Sequence, residues 1–343
     1  MEKKRIPFLD RLRAFCMYGV VLGHLCTWEI NALQPGCFEW NVSNLYNGLA
    51  RVCVPLFLMI SGFLALEQPD MEHSRQAGKK GALRFLRDYI FWSACYAAIP
   101  LLRGLRNGTP DLPAFLKNVV QGEFHLWYLR MLCGIFVLLP VLFLATREEY
   151  TRRLLLGVCF VSTILLPALE GIPGLEWTAE VVQNSYLDTG YLFYFLAGYE
   201  MRKNPPRKTQ RVVIYGLGAA GAVWSVTATW YLSCLDGCFS DFWLSQRSLS
   251  VAATAVAVFA AAQQASSHRE KTGRTAWLAE TVSASTMGIY AVHVFFLLML
   301  RKFSVSPYQY SPVWWLPLLA LAVFALSFAV TKLLRCTPLR RFV

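Results

Sequence analysis

Apolar stretches of roughly 18–25 residues recur along the whole of this 343-residue chain, parted by short polar connections. A helix needs about that length to cross ~30 Å of hydrocarbon, where no water is present to satisfy open backbone groups. A single water-soluble core has no use for so many such segments. Charged residues make up only 16% of the chain, against about 25% in soluble domains, and they concentrate between the apolar stretches. The pattern predicts an all-α, polytopic integral membrane protein with about ten transmembrane helices. They are expected at about 10–28, 44–66, 86–103, 126–145, 153–170, 186–201, 211–233, 249–265, 283–300 and 313–334. No linker or low-complexity run divides them, so residues 1–343 are expected to form a single transmembrane domain.

The net charge of +12 raises the question of a nucleic-acid partner, and the placement of the charge argues against one. Lys3, Lys4, Arg5, Arg11 and Arg13 precede or open the first span, and Arg75, Lys79, Lys80, Arg84 and Arg87 fill the second connection on the same side. The later connections on that side carry Arg147, Arg152 and Arg153, then Arg202, Lys203, Arg207, Lys208 and Arg211, then Arg269, Lys271 and Arg274. Lys332, Arg335, Arg340 and Arg341 follow the last span, which brings 25 of the 33 cations to one face. The opposite loop at 171–187 holds Glu176 and Glu180 and no cation. The positive-inside rule therefore places both termini in the cytoplasm and makes the basic balance a topology signal. Trp28, Trp127, Trp177, Trp243, Trp314 and Trp315 fall near the outer ends, as an interfacial belt requires. The opening "MEKKR" resembles the start of a signal peptide, but no small-residue cleavage site follows it, so the first span is expected to be retained.

Of the ten cysteines, Cys16, Cys53, Cys95, Cys133 and Cys159 lie inside spans, where a thiol packs as a small apolar group. Cys37, Cys234 and Cys238 fall in outer loops, where a Cys234–Cys238 bridge is conceivable, and no metal-ligand spacing occurs. Pro55, Pro100, Pro140, Pro167 and Pro317 lie in or beside spans and are expected to bend them.

Ionisable groups within spans are costly, about 2.5–3.5 kcal/mol for a charge at the helix centre, and so mark function. Arg13 and His24 are eleven positions apart, about 20° past three whole turns and ~16 Å in rise. Both therefore share one stripe of the first helix, with Asp10 one turn before Arg13 to orient its guanidinium. A histidine at that depth can take a proton in catalysis; its plainer use is a hydrogen bond to a neighbouring helix. Tyr290 and His293 share a face in "STMGIYAVH", either within a site or as a bundle-internal hydrogen bond. His125 and Trp127 open "HLWYLRMLCG" near the outer surface, where His125 can meet an acceptor hydroxyl or cap its helix. Arg51 and Arg130 need a carboxylate or backbone carbonyls as partners. Arg84 and Arg87 in "ALRFLRDYIFW" lie one turn apart and can hold phosphate by bidentate hydrogen bonds.

Taken together, "FLDRLRAFCMYGVVLGH", "RVCVPLFLMISGFL", the Arg84/Arg87 pair, "HLWYLRMLCGIFVLLP", "GYLFYFLAGYEMR" and "SASTMGIYAVH" resemble the acyltransferase 3 family of membrane O-acyltransferases. Within it, "HLCTWEI" and "ARVCVPLFLMISG" are most similar to the enterobacterial common antigen O-acetyltransferase type. The resemblance implies His24 as the essential catalytic histidine, Arg13 as its partner in handling the acyl donor, and Arg84 and Arg87 as the pair that engages the coenzyme's phosphates. Asp10 joins the expected catalytic group by its place one turn before Arg13. It implies cytoplasmic acetyl-CoA as donor substrate with no permanently bound cofactor, and a hydroxyl of a surface glycan or lipid-linked saccharide as acceptor. Location in a bacterial cytoplasmic (inner) membrane, among membrane lipids, goes with it. From another class, a glycan or lipid-linked sugar transporter or flippase would use the same buried polar stripe as a pathway. The absence of an evident inverted repeat counts against that alternative.

Overall fold

A computed structural model describes residues 5–170, 174–175, 190–267 and 273–343. Lys3, Lys4, Glu176, Trp177, Glu180, Arg269, Lys271 and the start of the expected span at 186–201 lie outside these residues. The described residues are helical, and their packing separates into two compact units. Residues up to Leu64 together with Arg152–Thr331 make the first, and Ala65–Thr151 with Lys332–Val343 make the second.

In the first unit, α1 (Pro7–Trp28) is an unbroken helix with proline in its first turn, where a missing N–H costs nothing. Next come α2 (Phe38–Ala50) and α3 (Cys53–Ala65), which meet at a break occupied by Arg51 and Val52. α4 (Met71–Arg106), α5 (Leu112–Gln121), α6 (Trp127–Val137) and α7 (Leu139–Arg147) build the second unit. α8 (Glu149–Phe160) runs through a π turn at Val161–Leu165 into a last helical turn at Leu166–Leu169. Pro167 lies just beyond the π turn, and its missing N–H accounts for the altered bonding there. α9 (Leu192–Lys203), α10 (Lys208–Asp236), α11 (Leu249–Ser267), α12 (Arg274–Lys302) and α13 (Pro312–Arg335) complete the chain.

By length and composition, six spans among the described residues can cross a membrane: Phe38–Ala65, Glu149–Leu169, Lys208–Asp236, Phe242–Ala265, Arg274–Lys302 and Pro312–Arg335. A seventh is the bent pair Leu112–Val137 and Leu139–Arg147, which turns by 57° immediately before Pro140. Three expected spans do not meet that measure, each for a visible reason. α1 opens on Asp10, Arg11 and Arg13, α4 is strongly charged over its first half, and α9 has only 12 residues. Pro55 falls in the first turn of α3 and leaves it intact.

Small residues let the helices of the first unit approach closely, the usual means of association where lipid offers no hydrophobic drive. On α10, a Cβ at Gly218 would lie 2.2 Å from the Ala257 Cβ, and one at Gly221 would lie 2.5 Å from the Ser250 carbonyl of α11. Thr254 Oγ1 also donates to the Gly218 carbonyl at 3.0 Å. Within α13, Pro317 cannot donate to the Val313 carbonyl, and Tyr46 of α2 supplies the missing bond at 2.7 Å. The Pro317 carbonyl takes Tyr18 of α1 at 3.0 Å. Asp10 meets Ser283 of α12 and His24 meets His293, so α1 and α12 run parallel.

A buried ion pair ties α8 to α9. Arg152 Nε donates to Glu200 Oε2 at 2.6 Å, and Glu200 Oε1 accepts from Asn204 at 2.8 Å. Both side chains are less than one-fifth exposed. Removing one partner strands the other charge, so Glu200→Gln should cost about 3 kcal/mol. The expected result is a clearly lowered Tm for the detergent-solubilised protein.

All ten cysteines are free thiols, so the conceivable Cys234–Cys238 bridge is not formed. Cys16, Cys53 and Cys159 are buried packing groups, whereas Cys95 is exposed on its helix.

Candidate active site

The polar stripe of α1 is anchored at one end by Asp10, which is 8% exposed. Its Oδ1 accepts from Ser283 Oγ at 2.5 Å and its Oδ2 from Arg5 Nε at 3.0 Å. Arg5 also reaches Glu280. Arg13 lies 3.8 Å from Asp10 Oδ1, an ion pair longer than a hydrogen bond. Asp10 therefore orients Arg13 less tightly than its spacing suggested, and its closer partners are Arg5 and Ser283. The carboxylate joins the base of α1 to α12 as well as facing Arg13.

Further along α1, half-buried His24 stacks on the fully buried His293 of α12, with centroids 5.3 Å apart and planes at 26°. His293 Nδ1 lies 2.7 Å from the Tyr290 carbonyl. A carbonyl only accepts, so Nδ1 carries the proton, and in the neutral ring Nε2 keeps its lone pair. The Tyr290 ring lies 6.1 Å from the His293 ring. Arg51, at the α2–α3 break, is near enough to act electrostatically on His24. Asp241 and Tyr191 are in turn near enough to act electrostatically on Arg51. His24, His293, Tyr290 and Arg51 thus form one cluster, drawn from α1, α12 and the α2–α3 break.

Three sequence-predicted residues and the Arg84–Arg87 pair belong to the second unit. His125 lies in a 3₁₀ turn at Phe124–Leu126, only 2% exposed, edge-on to Tyr96 at 5.2 Å. Trp127 begins α6 directly after that turn. Arg130 is exposed, with its guanidinium over the Tyr89 ring at 5.5 Å, where a carboxylate or backbone carbonyl was expected. Arg84 and Arg87 occupy one face of α4 around Asp88, whose side chain is fully buried. Asp88 Oδ1 accepts from Arg87 Nε and Nη2 at 2.9 and 2.6 Å, and Oδ2 faces Arg84 Nε at 3.8 Å. Sequence reasoning passed over Asp88. Its signal was an acid four positions after Arg84 and next to Arg87, within reach of both.

α4 itself begins at Asp70, whose side chain accepts from the His73 backbone N–H at 2.9 Å. That bond, with the His73 ring beside it, holds the Asp70 carboxyl below the usual carboxylate range.

Across this chemistry the family model described as an acyltransferase domain matches residues 6–332. The chain belongs to the acyltransferase 3 family. The acyltransferase 3 match covers α1 through nearly all of α13 and makes the protein a membrane acyltransferase, with an acyl donor and an acceptor as its substrates. No curated protein and no solved structure matches the chain. In this acyltransferase, groups of three or more metal-binding side chains are absent among the described residues. A cleft of about 730 Å³ lies elsewhere in the first unit, between Glu200, Asn204, Arg207 and Gln210, and touches none of the His24 cluster.

Proposed function

We propose that the enzyme is an O-acetyltransferase that moves an acetyl group from acetyl-CoA to a hydroxyl of a surface glycan or lipid-linked saccharide, in a bacterial inner membrane. We read it as of the enterobacterial common antigen O-acetyltransferase type, on the resemblance of its motifs. The observation that carries the reading is His24, an ionisable ring well inside α1, stacked on the fully buried His293 and near a guanidinium. Buried ionisable groups are retained where chemistry needs them.

In the proposed reaction the His24 imidazole takes the acceptor's hydroxyl proton as its oxygen bonds to the acyl carbon. The carbon–sulfur bond breaks, and the departing thiolate recovers the proton from the imidazolium. A positioned base of this kind is worth about 10²–10⁴ in rate. In the two-step variant the imidazole nitrogen bonds the acyl carbon first, the thiol leaves, and the acceptor oxygen then takes the acyl group from nitrogen. Arg84 and Arg87 hold the donor's phosphates, and Asp88 orients both guanidiniums.

Purified protein given acetyl-CoA and a hydroxyl acceptor should release free coenzyme A and form an ester. A glycan transporter would move its substrate unmodified and leave the thioester intact. Arg84→Gln and Arg87→Gln should each raise the KM for acetyl-CoA about tenfold with a smaller change in kcat, by loss of a charge-assisted contact. An equal fall in kcat at unchanged KM would remove the arginines from donor binding.

A further inference from the structure

We infer that residues 338–342 are part of the donor-phosphate site, clamping Arg87 through Phe342 and bringing Arg340 and Arg341 to the Arg84–Arg87 pair. The inference rests on the reading of that pair as the donor-phosphate contact.

Four contacts seat this 3₁₀ turn (Pro338–Phe342) on one stripe of α4. The Phe342 ring stacks on Phe91 at 3.9 Å between centroids and 11° between planes. The Arg87 guanidinium lies over the same Phe342 ring at 5.1 Å. Trp92 Nε1 donates to the Phe342 carbonyl at 3.0 Å, and Arg87 Nη2 donates to the Arg341 carbonyl. Arg87 is therefore held on three sides, by Asp88, by the Arg341 carbonyl and by an aromatic face. Its Nε and Nη2 are committed to the protein, and Nη1 has no protein acceptor among the described residues. A guanidinium fixed in this way presents its remaining fork to an anion with little rotamer entropy left to lose.

Charge decides what the turn adds. A nucleotide donor with a pyrophosphate and a ribose phosphate carries about four negative charges at neutral pH. Buried Asp88 cancels one of the two guanidinium charges of Arg84 and Arg87. That pair alone is a weak counterpart for such a polyanion. Arg340 and Arg341 are exposed, and the Arg341 backbone touches Arg87 directly, so the turn more than doubles the net positive charge at the stripe. A stacked aromatic anchor also explains why a segment with two adjacent arginines lies against an arginine-bearing helix despite like-charge repulsion.

The test is equilibrium binding of coenzyme A to the full-length, detergent-solubilised protein. Phe342→Ala should weaken binding about fivefold or more, and Phe342→Trp should restore it, because a larger aromatic face still carries the guanidinium. Arg340→Gln combined with Arg341→Gln should weaken binding and flatten its salt dependence, which loss of a merely structural contact would not do. If these variants bind coenzyme A as the parent does while Arg87→Gln binds weakly, the inference is overturned and the reading of Arg84 and Arg87 stands. If Arg87→Gln also binds as the parent does, that reading falls and the inference with it.

Discussion

His24→Ala protein, inserted and extracted like the parent, should lose acyl transfer by at least about 10²-fold, with donor binding nearly unchanged. In the proposed reaction the imidazole moves the acceptor's proton, and alanine leaves a gap that water fills poorly as a base. His24→Gln keeps the volume and a hydrogen-bonding end but cannot take the proton, so it should be as inactive as alanine. His293→Ala separates two roles. If His293 only supports His24 by stacking, its loss should cost about tenfold less than loss of His24 itself. Rapid quenching without acceptor then discriminates base from relay: acid-trapped acyl-protein that vanishes in His24→Gln supports the covalent variant. Near-parent transfer by His24→Ala would end the proposal.

The second large effect is on folding. Gly62→Ala and Gly198→Ala should each destabilise the first unit by at least about 3 kcal/mol and yield little monodisperse protein. The two glycines mark a reciprocal backbone contact between α3 and α9. A Cβ on Gly62 would lie 1.7 Å from the Phe195 carbonyl oxygen, and one on Gly198 would lie 2.0 Å from the Met59 carbonyl oxygen. Neither neighbour is a flexible side-chain tip, so relief requires the helices to separate. Gly157→Ala and Gly216→Ala are the controls, since a Cβ there meets nothing within 4 Å. They should leave thermal stability level or slightly raised, by the lower helix propensity of glycine. Size-exclusion profiles after graded heating measure all four.

The parts of the site legible in the sequence are those carried by one helix. Asp10, Arg13 and His24 share a stripe of α1 because 100° per residue returns eleven positions close to whole turns, and α1 is continuous from Pro7 to Trp28. The same local arithmetic put Arg84 and Arg87 on one face of α4. Membrane character was legible for a related reason: hydropathy is additive along a segment and needs no knowledge of neighbours. The span count was less so. Strong charge at the start of α1 and along the first half of α4 lies on helices that extend past their apolar portions, and a window of hydropathy does not register where such a helix begins.

What one helix meets was beyond reach of the sequence. His24 and His293 were each singled out as buried ionisable residues, but only the parallel packing of α1 on α12 stacks their rings. Arg130 was expected to need an acceptor and instead rests on the face of Tyr89, a partner set by how α4 lies beside α6. Asp88 is one position from Arg87 in the chain, yet its burial, which fixes its charge between two guanidiniums, comes from the packing around α4. Phe342 reaches Arg87 only because the chain folds a distant turn back onto that helix. The sequence by itself determined an all-helical, multi-span chain with a histidine well inside its first helix, since periodicity and hydropathy are local, and its motifs carried the acyltransferase resemblance. Which groups surround that histidine and those arginines was decided by tertiary structure, because side-chain contact depends on interhelical distance and rotation, which no local period encodes.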